Sequence, residues 1–365
     1  MQSDRSQIYS IQGLRGLAAL AVVIAHSFEH GKLGGVPALF TGRFGVEVFF
    51  VISGFVITLA SGKGWFDPRD FAIRRFMRVA PLYWLTTLLV GGLAIALPSI
   101  FKNTSFDLSY FISSILFIPD PIPGTDDWRP LFKLGWTLNY EVFFYAIVCA
   151  FFWCRTSLSR SICLISIMLL FVVISFGIEI RSGIASFYFN LNLMPFIAGV
   201  VICEALRQTT NLMARMADYT LILLLVAVAS LYWALQFSHE EYRTFPGHIA
   251  LTSAAVMVVL TALSIEHVFS RSVSMWSWLG NISYSLYLLH MFVVGAGWAV
   301  LRRVADRGHD SVITPFAIAG IVIASLIAAT VSYRLFEKPL ARLARRLASK
   351  PAHDPLDLVA APKAI

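Results

Sequence analysis

Two side chains that could do chemistry share one face of the first apolar segment. Arg15 and His26 lie eleven residues apart, which is close to three helical turns, so they point the same way and stand roughly 16 Å apart along the axis. A neutral imidazole can take a proton near pH 7 or act as a nucleophile. His26 is therefore a candidate for either role, and Arg15 lies on the same face near the cytoplasmic end of the helix. In the alternative reading, Arg15 reaches the inner interface and His26 bonds a neighbouring helix.

Two acids also lie within apolar segments, where an ionisable group costs several kcal/mol unless it is paired or hydrated. Glu47 is the one acid of its segment, and so is Glu141. By position along their helices, both fall in the same outer third of the membrane as His26. A carboxylate beside an imidazole fixes its tautomer and raises its basicity. Either acid is thus a candidate partner of His26, or else a partner of a backbone or tyrosine group.

A polar stripe follows on a later apolar segment. Ser283, Tyr287 and His290 are spaced four and three residues apart, so they line one face of a helix. The stripe predicts either the wall of a cavity or polar contacts that hold helices together.

A basic cluster lies in the connection that follows the second apolar segment. Arg74, Arg75 and Arg78 share a helical face, and the guanidinium fork binds phosphate bidentately. One interpretation is a site for a phosphate-bearing molecule. The other is the ordinary excess of basic residues in cytoplasmic loops.

The elements that position these residues are transmembrane helices. Apolar residues make up 58% of the 365 residues and charged residues only 14%, against roughly 25% in soluble chains. This composition excludes a soluble enzyme, a disordered chain and a disulfide scaffold. Because every backbone amide must bond within its own segment in hydrocarbon, the apolar segments predict an all-α polytopic membrane protein.

A helix needs about 20 apolar residues to cross the bilayer, and about ten segments qualify. They are Ile8–Phe28, Phe44–Gly62, Val79–Phe101, Leu134–Cys154, Ser161–Ile178, Ser182–Cys203, Tyr219–Ser238, Thr244–Ile265, Asn281–Leu301 and Ser311–Tyr333.

Basic residues predict the orientation. With a cytoplasmic N-terminus, most of the 29 Lys and Arg residues fall on the inner side, and both termini lie there. Arg302, Arg303 and Arg307 fall outside, against the rule. We expect residues 1–346 to form one transmembrane domain and 347–365 a disordered cytoplasmic tail. The long outer connection, residues 102–133, predicts a lid, a docking surface or a passive connector.

Other classes of partner are disfavoured by the same composition. The net charge of +8 fits basic inner loops, so no nucleic-acid partner is expected; the bilayer is the expected partner. The four cysteines lie in or beside apolar stretches without a CxxC pair, so we expect buried thiols and no metal or disulfide. They are Cys149, Cys154, Cys163 and Cys203.

Six short motifs in order, from about Ser10 to Ala341, resemble the acyltransferase-3 family of bacterial membrane O-acyltransferases. They are Leu14-Arg15-Gly16-Leu17-Ala18 with His26, Gly45–Phe55 with Ser53, the arginine cluster, Trp136-Thr137-Leu138-Asn139-Tyr140-Glu141, Ser283–His290, and Phe336-Glu337-Lys338-Pro339. The fourth motif is most similar to the exopolysaccharide acetyltransferase subgroup. Glu47 departs from the family, which more often has Asp there, so its role is the least defined.

The resemblance implies transfer of an acyl group, usually acetyl, from cytosolic acyl-CoA to a hydroxyl of an exported or cell-surface polysaccharide or its lipid-linked precursor. It places the chain in the bacterial inner membrane, with acetyl-CoA as co-substrate and no tightly bound cofactor or metal. The catalytic residues would be His26, Arg15 and Glu141, and the arginines would bind the donor. The cavity-lining residues would be Glu47, Ser53, Trp136, Asn139, Tyr140, Ser283, Tyr287 and His290.

Several alternatives stay open at this level. His26 acts either as general base or as acyl-carrying nucleophile, and the donor's pantetheine would pass along the small-residue face of the first helix. The acceptor could instead be O-antigen, a glucan, a lipid or a small molecule, and the acyl group succinyl. A transporter or flippase for a lipid-linked sugar is the reading from another class, against which stand the absent internal repeat and the arginine cluster. The oligomeric state is not defined by the sequence.

Overall fold

The computed structural model describes residues 8–30, 36–97, 106–177, 183–238, 240–305 and 310–348. Within these ranges the chain is helical and contains no strand, which confirms the all-α class. The helices are α1 (Tyr9–His30), α2 (Val36–Ala60), α3 (Pro68–Ala96), α4 (Leu108–Ile115), α5 (Trp136–Ala150), α6 (Ser157–Gly177), α7 (Ile184–Tyr188), α8 (Met194–Gln208), α9 (Leu212–Asp218), α10 (Thr220–Ala234), α11 (Phe245–Ser264), α12 (Glu266–Phe269), α13 (Val273–Ala305), α14 (Asp310–Ser332) and α15 (Lys338–Leu347). Arg307 and the predicted tail from residue 349 onward lie outside the described residues.

Eight helical stretches in the described ranges are long and apolar enough to cross a membrane. The pair α9–α10, bent by 79°, makes a ninth if it counts as one span. The expected segment Leu134–Cys154 forms only the 15-residue helix α5, because a 3-10 turn at Lys133–Gly135 precedes it. A helix of that length rises about 22 Å, short of the ~30 Å hydrocarbon core. The membrane class is confirmed, with fewer full-length spans among these residues than the ten expected.

Helix α3 begins well before the expected segment Val79–Phe101. Asp67 caps its N-terminus by accepting from the backbone N–H groups of Arg69 (2.9 Å) and Asp70 (3.2 Å), and Pro68 occupies the first helical position. Both features favour a helix start. The basic cluster therefore lies on the early turns of a long helix, where its relative directions are fixed, and not in a loop.

The chain divides into two compact units. The first contains the chain up to Ala60 and Ala198–Leu335. Its centre is α1, which packs against α2, α13 and α14. Glycine makes these contacts close, since a Cβ on Gly16 would stand 2.3 Å from Leu279 Cγ, and one on Gly45 2.9 Å from the Ala18 carbonyl oxygen.

This packing bears on two uses that the sequence left open for the small-residue face of α1, close helix packing and passage of the donor's pantetheine. A Cβ on Gly13 would stand 2.7 Å from the ring of Phe269, and Gly16 meets α13 as closely. Because neighbouring helices fill this face, the small residues serve helix packing, which small side chains permit in membranes.

The second unit contains Ser61–Ile197 and the chain from Phe336. Within it α3 packs against α4, α5 and α15, and α5 packs against α6.

The four cysteines of the chain are free thiols. Among the described residues, no group of three or more His, Cys, Asp or Glu side chains is placed to hold a metal ion.

The described part of the long connection packs on α3. Asp107 caps α4 by accepting from the Tyr110 backbone N–H at 2.8 Å, and this bond lowers the pKa of the Asp107 carboxyl. The Tyr83 hydroxyl donates to the Ser114 carbonyl at 2.9 Å, and Trp84 Nε1 donates to the Ile115 carbonyl at 2.8 Å. These bonds tie α4 to α3.

Candidate active site

Helices α1 and α13 bring two imidazoles into contact. His290 Nε2 lies 3.3 Å from His26 Nδ1, and the ring centroids are 5.1 Å apart. His290 is fully buried and His26 is partly exposed. Both residues were singled out from the sequence, but their pairing was not predicted, because it depends on the register between two helices that are far apart in the chain.

Backbone carbonyls determine which ring nitrogens carry hydrogen. His26 Nδ1 lies 3.0 Å from the Val22 carbonyl oxygen, and His290 Nδ1 lies 3.1 Å from that of Leu286. A carbonyl oxygen only accepts, so we infer that both Nδ1 atoms are protonated. Neutral His290 then offers its Nε2 lone pair to the same Nδ1–H of His26, which is shared between His290 Nε2 (3.3 Å) and the Val22 carbonyl (3.0 Å). Neutral His26 keeps its own lone pair on Nε2. That tautomer can act as base or nucleophile.

Arg15 joins the same pair of helices three turns from His26. Its Nη2 donates to Ser283 Oγ at 3.3 Å and its Nη1 donates to Gln12 Oε1 at 3.3 Å. The Ser283 hydroxyl in turn donates to the Gly280 carbonyl at 2.7 Å. Arg15, which the sequence predicted to share a face with His26, thus contacts the stripe on α13 through Ser283, and Gln12 is a second partner.

The remaining stripe residue packs against α2. Tyr287 lies with its ring centroid 5.9 Å from that of Phe49 and 6.2 Å from that of His290. Ser53 follows Phe49 by one helical turn on α2 and is partly buried. The Tyr287 ring therefore packs between the rings of Phe49 and His290.

Glu47 faces a different neighbour. Its Oε1 lies 3.5 Å from Arg43 Nη2 and 3.9 Å from His248 Nε2, and Thr252 Oγ1 donates to its Oε2 at 3.4 Å. At 100° per residue, Glu47 and Phe49 point to nearly opposite sides of α2. The carboxylate therefore meets α11, and its imidazole partner is His248, not His26. His248 was identifiable from sequence only as the one titratable residue of its apolar segment.

Glu141 belongs to the second unit, in a cluster with two arginines. The Tyr145 hydroxyl donates to its Oε1. The Arg75 guanidinium lies 5.4 Å from the centre of the Phe71 ring and 5.9 Å from that of the Tyr145 ring. It is attracted by the Glu141 carboxylate and repelled by the Arg78 guanidinium. Arg75 thus lies near one carboxylate, that of Glu141, and one further guanidinium, that of Arg78. Tyr145 had no signal of its own in the sequence. Arg74, on the same helix, is partly buried.

The motif at the start of α5 meets the segment around α7. The Tyr140 hydroxyl donates to the Phe187 carbonyl and accepts from Asn190 Nδ2 at 2.6 Å and Asn192 Nδ2 at 3.2 Å. Its ring lies 6.1 Å from that of Trp136. These bonds fasten the segment to α5 and occupy the tyrosine hydroxyl.

Asn139 differs from its neighbours. Its side chain is fully buried, and neither Oδ1 nor Nδ2 has a hydrogen-bond partner among the described residues. Burial without a bond costs about 1–3 kcal/mol for each such group. Native proteins keep few such groups, so Asn139 stays a candidate for contact with a polar ligand.

Comparison with known proteins gives one consistent result. A family model described as an acyltransferase domain matches residues 8–334. The exopolysaccharide production protein ExoZ of Rhizobium meliloti is 29% identical over 310 residues, which cover 83% of this chain and 91% of the relative. No solved structure matches the chain.

Two longer relatives share only part of their length with it. The peptidoglycan O-acetyltransferase OatA of Listeria monocytogenes is 26% identical over 381 residues, covering 92% of this chain and 56% of its own. The putative peptidoglycan O-acetyltransferase YrhL of Bacillus subtilis is 24% identical over 364 residues, covering 91% and 55%. The chain spans about half the length of these two relatives.

Proposed function

Because the chain belongs to the acyltransferase-3 family, we propose that it is a membrane O-acyltransferase of the bacterial inner membrane. The proposed reaction moves an acyl group, most simply acetyl, from acyl-CoA to a hydroxyl of an exported or cell-surface polysaccharide or its lipid-linked precursor. A relative named for exopolysaccharide production and two named as peptidoglycan O-acetyltransferases support this acceptor class.

The observation that carries the proposal is the His26–His290 pair. His26 Nε2 bears the lone pair that takes the proton of the acceptor hydroxyl. The Nδ1–H of the resulting imidazolium lies between His290 Nε2 and the Val22 carbonyl oxygen, so both acceptors stabilise the positive charge inside a low-dielectric site. A general base of this kind contributes about 10²- to 10⁴-fold to the rate.

In the proposed reaction, His26 Nε2 both takes up and returns the transferred proton. The hydroxyl oxygen attacks the thioester carbonyl carbon while its proton moves to His26 Nε2. The C–S bond of the tetrahedral intermediate then breaks, and the CoA sulfur leaves with the proton held on Nε2, which restores neutral His26. A two-step route, in which Nε2 first takes the acyl group and then passes it to the hydroxyl, uses the same lone pair.

We assign the binding of the donor's phosphate groups to the arginine cluster on α3. Arg75 and Arg78 supply two positive charges against the single carboxylate of Glu141, and this excess favours a phosphate-bearing ligand. Arg75 is also tied to the rings of Phe71 and Tyr145. Arg78 is therefore the better probe of phosphate binding, since Arg75 has a structural contact to lose as well.

The test uses the purified protein in proteoliposomes with radiolabelled acetyl-CoA and polysaccharide from the producing organism. We expect H26Q to abolish transfer and H267Q, which changes an exposed histidine on α12, to leave it unchanged. R78Q should raise the KM for acetyl-CoA about tenfold, with a smaller effect on kcat.

Three outcomes would contradict the proposal. Transfer by H26Q at the wild-type rate would remove the base. An unchanged KM in R78Q would remove the donor site. Movement of a lipid-linked sugar across the bilayer without CoA, and with no acetylated product by mass spectrometry, would favour the flippase.

A further inference from the structure

Helix α15 is an amphipathic helix whose basic and apolar side chains lie on separate faces. It carries four basic and no acidic residues over Lys338–Leu347. At 100° per residue the two kinds lie on opposite faces. The basic face contains Lys338, Arg342, Arg345 and Arg346, and the apolar face contains Leu340, Leu343, Ala344 and Leu347.

Only part of the apolar face meets protein. Ala344 is buried, and the helix packs against α3 within the second unit. Leu343 and Leu347 remain 44% and 55% exposed. The four basic side chains are all exposed. The open surface of α15 therefore contains exposed leucines on one side of the helix and exposed basic side chains on the other.

We propose that this open surface of α15 binds anionic phospholipid headgroups. The helix forms the charged C-terminal end of the last candidate membrane span, the 33-residue stretch Pro315–Leu347. At 1.5 Å per residue this stretch is longer than the ~30 Å hydrocarbon core, which places its basic end at the membrane interface. A basic amphipathic helix there inserts its leucines at the acyl boundary and pairs its arginines with lipid phosphates. This lipid site is independent of acyl transfer.

The position of the charges favours lipid over the phosphates of a soluble donor. The donor arginines Arg75 and Arg78 lie on α3, the helix against which α15 packs. The buried residue Ala344 and the exposed arginines lie on opposite sides of α15. The cationic face is thus directed away from its protein neighbour, toward the surroundings of the unit.

The test compares hydrogen–deuterium exchange of residues 338–347 in full-length protein, in nanodiscs of phosphatidylcholine alone or mixed with phosphatidylglycerol. We expect phosphatidylglycerol to slow exchange of this segment about tenfold, since basic side chains are attracted to an anionic membrane surface. The variant R342Q/R345Q/R346Q should lose that difference. Glutamine keeps the helix propensity, and equal exchange of wild type and variant in phosphatidylcholine will show that the helix still forms.

The matched control R302Q/R303Q removes two exposed arginines from α13 and should keep the lipid-dependent slowing of residues 338–347. Equal exchange of the wild-type segment in both lipids would overturn the proposal, and so would slowing that persists in the triple variant. Protection by coenzyme A in pure phosphatidylcholine, greater than that by phosphatidylglycerol, would assign the face to the donor instead.

Discussion

His26 Nδ1 and His290 Nε2 face each other at 3.3 Å, and each Nδ1 is also close to the carbonyl four residues earlier in its own helix. The Leu286 carbonyl thus sets the tautomer of His290, and His290 helps to set that of His26. We assign His290, a buried imidazole in contact with His26, the role of a positioning residue. Its effect should appear in the rate of the reaction and not in donor binding.

Replacing His290 tests this relation directly. We expect H290L to lower kcat about 10- to 100-fold, less than loss of the base itself, because the Nδ1–H of His26 loses His290 Nε2 as an acceptor and keeps only the Val22 carbonyl. H290Q should retain more activity, since the glutamine Oε1 can accept the same hydrogen bond. The KM for acetyl-CoA should stay unchanged in both variants. Equal kcat in H290L and H290Q would show that His290 acts through packing alone.

The buried pair Glu47–His248 gives a prediction about stability. Both side chains are 1% exposed, and His248 Nε2 lies 3.9 Å from Glu47 Oε1. Glu47 also contacts Arg43 and Thr252, and His248 Nδ1 contacts the Tyr242 carbonyl, so removing one member costs the other a single buried polar contact, about 1–3 kcal/mol. We expect E47Q and H248Q each to lower the Tm in detergent. The double variant should be destabilised by at least about 1 kcal/mol less than the sum of the two, because the side chains interact.

The matched comparison for this pair is E47Q with H267Q, whose histidine is exposed on α12. The effects of these two changes should add. Additive effects for E47Q with H248Q as well would mean that the two side chains do not interact. The carboxylate would then have to be placed elsewhere.

Asn139 should separate stability from activity. Two buried amide atoms without partners cost about 1–3 kcal/mol each, so N139L, with an apolar side chain of similar size, should raise the Tm. If the amide binds substrate, the same variant should transfer acetyl groups more slowly. The comparison is N192L, which removes a bond to the Tyr140 hydroxyl and should lower the Tm. A lower Tm in N139L, or full activity, would rule out this role.

The sequence was sufficient where a property depends on local spacing. The shared face of Arg15 and His26 follows from helical period alone, and the apolar segments follow from length and composition. It was insufficient where a property depends on a neighbour. The glycines of α1 allow either a ligand or a close helix, and only the position of Leu279 decides for the helix.

A helix boundary and the partner of one side chain illustrate the same limit. Helix α3 begins at Pro68 because Asp67 caps it, but hydropathy alone places the start at the first uncharged stretch, eleven residues later. The partner of Glu47 was expected among groups at the same depth, whereas the direction of its side chain around α2 selected His248. Depth is readable from sequence, but direction requires the packed helices.

Arg160 gives the clearest prediction for the second unit. This guanidinium is buried, donates to the carbonyls of Ser61, Gly62 and Cys154 at 2.9–3.0 Å, and lies 5.0 Å from the centre of the Phe66 ring. It thereby fastens the turn after α2 to the start of α6.

R160M should leave three buried carbonyl acceptors without their donor, at about 1–3 kcal/mol each, and should lower the Tm strongly. R160K should fall between, because an ammonium cannot reach three carbonyls in the planar geometry of a guanidinium. The control is R155M, which changes an exposed arginine five residues earlier and should shift the Tm by no more than about 1 °C, as surface substitutions are nearly neutral. Thermal unfolding followed by tryptophan fluorescence measures all three. Equal Tm values for R160M and R155M would mean that the carbonyls find other donors and that Arg160 does not hold the turn.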